Sequence, residues 1–190
     1  MKMKNMISPL ILAATAFLVL NGLSGCKGDD CEPGEDCHVH DQELITRLQV
    51  QITDSASGTL VASPTFDDAD GAGGNPPTID SIQIMSNTTY NVALKVFAQH
   101  GDHSDEITSE ILAEGDEHLF CFTASGVAVT IVRTDSDGVY EIGLASRWRS
   151  SAAGQGNLRI TLKHQAGGIK DGTCTPGDTD IEVDFPLEVL

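Results

Sequence analysis

Residues 44–52 read LITRLQVQI. In an extended chain Leu44, Leu48, Val50 and Ile52 fall on one side, and Arg47, Gln49 and Gln51 on the other. A period of two marks a strand with one buried face. The alternation returns near the far end, where Ile181, Val183, Phe185, Leu187 and Val189 interleave with Glu182, Asp184 and Glu188. Between these ends, Tyr90, Val92, Leu94 and Val96 line one face of a strand expected over 88–98. Leu158, Ile160 and Leu162 alternate with Arg159, Thr161 and Lys163, and Tyr140, Ile142, Leu144 and Trp148 share a face opposite Arg147 and Arg149. A weaker strand is expected over 58–66 and another strand over 79–85. The apolar run HLFCFT, residues 118–123, is expected to pair with 127–133 across Ala124-Ser125-Gly126.

Gly- and Pro-rich stretches such as residues 67–77 and 135–138 read as turns. A single helix is expected over 104–114, with Ile107 and Ile111 four apart, acidic residues in its first turn and Gly115 as its stop. Roughly eight to ten short strands and one short helix predict an antiparallel β-sandwich of immunoglobulin-like, Greek-key character. It is expected to occupy residues 43–190.

The beginning of the chain has a different composition. Lys2 and Lys4 precede an apolar run from Ile7 to Leu20, which ends in Leu23-Ser24-Gly25-Cys26. This order of charge, apolar run, small residues and cysteine resembles the lipobox of bacterial lipoproteins. It predicts a signal peptide over 1–25 and lipidation of Cys26, with each buried acyl CH₂ contributing about 0.8 kcal/mol to membrane attachment. Residues 26–42 read as a flexible acidic tether. Its start, Lys27-Gly28-Asp29-Asp30, resembles the export tag of surface lipoproteins and suggests the outer face of an outer membrane.

The net charge of the whole chain is −17, and loss of Lys2 and Lys4 with the leader takes it to −19. Such a surface excludes nucleic acid as a partner, because backbone phosphates need basic patches. It attracts cations instead. Beyond Cys26 there are Cys31, Cys37, Cys121 and Cys174. An exported chain oxidises its thiols, so disulfides are expected, and four cysteines allow three connectivities. Cys31–Cys37 as a local loop and Cys121–Cys174 as a long-range bridge is the preferred pairing. Thiolate metal ligation is the competing reading.

Three groups could bind metal. Cys37-His38-Val39-His40, flanked by Glu35, Asp36 and Asp41, places two imidazoles on one side of an extended chain, with carboxylates nearby. That set suits Zn²⁺ or Cu²⁺, with His38, His40, Glu35 and Asp41 as the ligands; a solvated acidic tether is the plain alternative. His100, His103, His118 and His164 are dispersed, and two of them could share a composite site if the fold brings their loops together. Asp68-Ala69-Asp70-Gly71 and Asp135-Ser136-Asp137-Gly138 each place alternate carboxylates before a glycine, as Ca²⁺ loops do. Position twelve from Asp68 is Ile79 and not the Glu of an EF-hand, and Asx-turn chemistry explains both segments without metal. No G-x-S-x-G elbow, H-E-x-x-H helix, P-loop or cofactor fingerprint is present, so no catalytic residue is assigned.

Several segments resemble a family of small Bacteroidetes-type lipoproteins. They include Glu43-Leu44-Ile45-Thr46, the Asp68–Asn75 stretch, Asn87-Thr88-Thr89-Tyr90-Asn91, the Glu114–Phe120 stretch, LRITLKHQ at 158–165 and the Gly177–Val183 stretch. The resemblance covers residues 43–190. Such proteins often carry a type 1 periplasmic-binding-fold label, which implies two α/β lobes; the strand alternation here implies a sandwich. The resemblance also implies a histidine-bearing tether and association with a TonB-dependent outer-membrane receptor. The resulting expectation is a non-enzymatic accessory lipoprotein that holds a metal ion or small ligand for uptake. The alternative is a structural or adhesive surface module for a protein or glycan.

Overall fold

The computed structural model describes residues 44–71, 73–100 and 103–190. The signal peptide, Cys26, Cys31, Cys37 and the tether residues Glu35, His38, His40 and Asp41 lie outside the described residues.

Among the described residues, twelve strands and one helix follow one another. The first seven strands are β1 (Ile45–Asp54), β2 (Leu60–Ala62), β3 (Thr65–Asp67), β4 (Thr78–Ile79), β5 (Ile82–Ile84), β6 (Thr89–His100) and β7 (His103–Glu106). The helix α1 (Thr108–Ala113) precedes β8 (His118–Ser125), β9 (Val129–Arg133), β10 (Ala145–Ser150), β11 (Gly154–His164) and β12 (Asp178–Val189). They form two sheets. Sheet A has the order β4-β3-β1-β6-β10-β9, with β2 added to β1 and β7 to β6. Sheet B has the order β5-β12-β11-β8.

The fold is an all-β sandwich, as the alternation predicts. Leu48, Val50 and Ile52 of β1 lie opposite Val96, Leu94 and Val92 of β6. Tyr90 lies opposite Trp148 of β10. In sheet B, Leu158, Ile160 and Leu162 face Phe185, Val183 and Ile181. All of these are buried, and they join one core contributed by both sheets. Cross-strand pairs on one face are what fix the register, since a slip by one residue would turn every apolar side chain to water. The buried Trp148 indole N–H is satisfied within its own strand by the Ser146 hydroxyl at 2.9 Å.

Several sequence expectations need correction. Strand 58–66 is broken at Pro64 into β2 and β3, because proline cannot donate to a ladder. Strand 79–85 divides into β4 and β5, which belong to different sheets. The pair β5–β12 is parallel, with Leu187 opposite Ile82, so the sandwich is not antiparallel throughout. Residues 118–125 and 129–133 do not form a hairpin: β8 pairs with β11, and β9 with β10. The chain instead changes sheets at Gly126, and Gly156 leaves no room for a Cβ against the Ser125 carbonyl. Leu44 is half exposed, and Thr46 takes the buried position that begins the β1 stripe.

The helix is shorter than expected. Its first three expected residues, with His103, are the edge of sheet A: β7 pairs with β6, and Lys95 reaches Glu106 at 2.6 Å. The acidic residues that suggested a helical first turn serve this exposed, polar edge strand, which discourages further pairing. The apolar i, i+4 pair survives, with Ile107 and Ile111 both buried. The Thr108 hydroxyl accepts the Val96 N–H at 3.0 Å and fixes the start of α1 on β6.

Candidate metal centre

One end of sheet B gathers the chemistry. There β8 begins at His118, β11 ends at His164 and β12 begins at Asp178. The turn from α1 into β8 is tight: the Glu114 carbonyl accepts the Glu117 N–H at 2.9 Å and contacts His118 Nδ1 at 3.1 Å. Since a carbonyl only accepts, Nδ1 carries the proton, and in the neutral ring Nε2 is left as a bare lone pair. His118 lies directly opposite His164 in the β8–β11 register, and the two rings stack with centroids 4.9 Å apart at 17°.

The third member arrives through a break in register. Leu162 pairs with Ile181 and Lys163 with Thr179, so Asp180 is an extra residue with no partner on β11. A bulge of this kind re-aims a side chain that strict alternation would send to the other face. Thr179 remains beside Lys163, whose ammonium donates to its hydroxyl at 3.0 Å. The Asp180 carboxylate turns inward and comes within 4.0 Å of His118 Nε2. The ligand atoms of His118, His164 and Asp180 all lie within 4.8 Å of one another.

Burial sets the electrostatics. The His118 and Asp180 side chains are only 9% and 7% exposed. Burial pushes the His118 imidazole below its ordinary value; the Glu114 carbonyl opposes this, while proximity to His164 adds to it. Burial likewise raises Asp180 above the usual carboxylate range, against the pull of the two imidazoles. Burial thus favours the neutral, lone-pair form of His118, whereas the Asp180 carboxylate is disfavoured unless a cation lies beside it.

The loop 165–177 closes this end. Gln165 is fully buried, and its side-chain amide donates to the Thr173 and Pro176 carbonyls at 2.8 and 3.0 Å. Between them, Cys174 is bonded to Cys121 of the edge strand β8, which is the expected long-range bridge. Lys170 donates to the Gly115 carbonyl at 2.5 Å and to Asp137 at 2.9 Å, pinning the loop to the turn after α1. Gly177, at φ 82°, packs so tightly on the His164 carbonyl that a Cβ would collide with it.

Two imidazoles and a carboxylate form a borderline donor set suited to Zn²⁺, Cu²⁺ or Ni²⁺, whereas Ca²⁺ wants six to eight oxygens. Tetrahedral ligands at about 2.0–2.1 Å from an ion stand roughly 3.3 Å apart. The converged atoms therefore need to close by up to about 1.5 Å.

Of the four dispersed histidines, the fold brings together His118 and His164. His100 and His103 pair with each other across β6 and β7 in sheet A. In the two Asp-x-Asp-Gly segments Asp70, Asp135 and Asp137 are held by donors within the protein, while Asp68 Oδ1 is buried with no hydrogen-bond partner. Asp70 accepts from the Asn75 N–H and side-chain amide at 2.9 and 2.6 Å. Asp135 holds the Gly143 and Ala145 N–H groups, and Asp137 holds those of Val139 and Tyr140 as well as Lys170. Among the described residues, His118, His164 and Asp180 are the group whose ligand atoms converge. No sequence pattern marks Asp180 as a ligand. No family model, curated protein or solved structure matches the chain.

Proposed function

We propose that this protein is an exported, lipid-anchored, non-catalytic binding module that holds a divalent transition-metal ion at His118, His164 and Asp180. The observation that carries the reading is the bare Nε2 of His118 facing the buried Asp180 carboxylate at 4.0 Å, beside a stacked second imidazole. Two electron-rich groups facing each other in a dry site call for a cation between them. The hydrogen bond from His118 Nδ1 to a backbone carbonyl is the outer support that metal-bound histidines commonly have. The charge of −17 favours cation capture. Placement at an outer membrane beside a TonB-dependent receptor draws on the lipobox, the Lys27–Asp30 tag and the sequence resemblance.

Calorimetry on the full chain tests the site. Zn²⁺ is expected to bind one-to-one at the sandwich, with Ca²⁺ far weaker. Asp180→Asn or His164→Ala is expected to weaken Zn²⁺ by about 100-fold. A His38→Ala/His40→Ala variant should keep that site. Undiminished affinity in the sandwich variants, with loss in the tether variant, would move the site to residues 35–41. Equal affinity in all of them would reduce binding to diffuse attraction. Anchoring is tested separately: Cys26→Ala should shift the protein from the membrane fraction to the soluble one, and a variant that stays membrane-bound would defeat the lipoprotein reading.

A second reading, a surface module for a glycan or protein, is favoured by a polar cleft of about 510 Å³ lined by Thr123, Ser125, Asn157, Arg159 and Asp184. Arg159 within it is already held by Asp184 and Glu182 at 2.6 and 3.0 Å. The metal reading therefore has the stronger geometry.

A further inference from the structure

We infer that Glu117 is the fourth ligand, so that the ion sits in a closed His118–His164–Asp180–Glu117 centre with no coordination position left to solvent. This rests on the reading that the three converged side chains bind a metal, and it adds how the site is completed.

The backbone of Glu117 is fixed beside His164, because its carbonyl accepts the Gln165 N–H at 2.6 Å. Its carboxylate is held only loosely. One oxygen lies 3.4 Å from the Gly167 N–H, and the other 3.5 Å from His164 Nε2. Both distances are at or beyond the long end of hydrogen-bond geometry, so rotation away from them sacrifices little. Asp180 is 7% exposed, whereas Glu117 is 24% exposed. His164 is 20% exposed, so the Glu117–His164 side is the open side of the cluster; the Glu117 carboxylate lies outside the group of ligand atoms within 4.8 Å of one another and has to swing toward them to take the place of a water.

Charge balance favours the carboxylate over water. A divalent ion with two neutral imidazoles and one carboxylate leaves a net positive charge in a dry site. A second carboxylate makes the centre neutral and removes that desolvation cost. A closed four-ligand centre is a holding site, since metal-assisted hydrolysis requires an open position for water. The alternative is that Glu117 stays on His164 as an orienting acceptor and water takes the fourth place.

Co²⁺ is the probe, with its visible absorption reporting coordination. The His38→Ala/His40→Ala chain serves as the background, so that the tether makes no contribution. Glu117→Gln and Asp116→Asn are compared within it; Asp116 is exposed, so its variant loses the same charge without touching the cluster. The background protein and Asp116→Asn should show a four-coordinate Co²⁺ spectrum that azide does not alter. Glu117→Gln should bind Co²⁺ at least about 10-fold more weakly and gain an azide-dependent band. An azide response in the background protein, or a Glu117→Gln variant with unchanged affinity and spectrum, would overturn the assignment while leaving the three-ligand site intact. Absence of Co²⁺ binding by the background protein would defeat the site itself.

Discussion

Removing the Cys121–Cys174 bridge is expected to lower the free energy of unfolding by about 4 kcal/mol. The two cysteines are 53 residues apart, and cross-linking a loop of that length restricts the unfolded chain by an amount of this order. The loss should arise mainly in the unfolded ensemble, because the loop keeps other anchors in the native state. Gln165 still grips Thr173 and Pro176, and Lys170 still grips Gly115. Denaturant unfolding of the oxidised chain and of a Cys121→Ser/Cys174→Ser variant measures the difference. A change below about 1 kcal/mol would show that the loop is equally constrained without the bond. The bridge also holds the cover of the histidine cluster, so the same variant should exchange metal faster even where its native fold is intact.

Most of the sandwich was legible because burial on one face writes a period of two into the sequence. The stripes of β1, β6, β11 and β12 are visible in the sequence and buried in the structure. Partner choice was less legible. Residues 118–125 and 129–133 look like a hairpin because they are adjacent and separated by a glycine, yet each finds its partner in a different sheet. Periodicity reports which face is wet and not which strand lies alongside. The edge strand β7 resembles a helical turn in sequence for a related reason: a short polar strand on a sheet edge has no apolar period to display.

The candidate site was half legible. His118 and His164 were visible as histidines at strand ends, and only the β8–β11 register makes them neighbours. Asp180 gave no signal. Counting back by twos from Ile181 sends it to the solvent face, and the bulge that reverses this is a property of pairing with β11 rather than of the residues beside it. The Asp-x-Asp-Gly segment at 135–138 had the opposite fate. Its spacing fits a Ca²⁺ loop but reads more simply as Asx turns, and the acids are satisfied by backbone N–H groups and a lysine thirty-three positions away.

That lysine leads to the second large effect. The Lys170 and Asp137 side chains are 2% and 9% exposed, so their pair belongs to the buried class and not to the weak surface class. Asp137→Ala leaves the Lys170 ammonium with the Gly115 carbonyl and no counter-charge, which should destabilise the protein by about 3 kcal/mol. Replacing both partners, as Lys170→Met/Asp137→Leu, should cost much less, since no charge is then stranded. A double variant as unstable as Asp137→Ala would mean that the backbone bonds of Asp137 matter more than the ion pair. Acid titration supplies an independent check. Burial opposes ionisation of Asp137, but Lys170 and the Tyr140 and Val139 N–H groups outweigh it and bring the carboxyl down from 3.8 to about 2. Because the folded value is the lower one, the stabilisation is complete above pH 3.8 and disappears as the pH falls from 3.8 through about 2. Asp137→Asn should therefore be less stable than wild type at neutral pH, and the gap should narrow across that interval. A gap that stays constant down to pH 2 would locate the contribution in packing and not in charge.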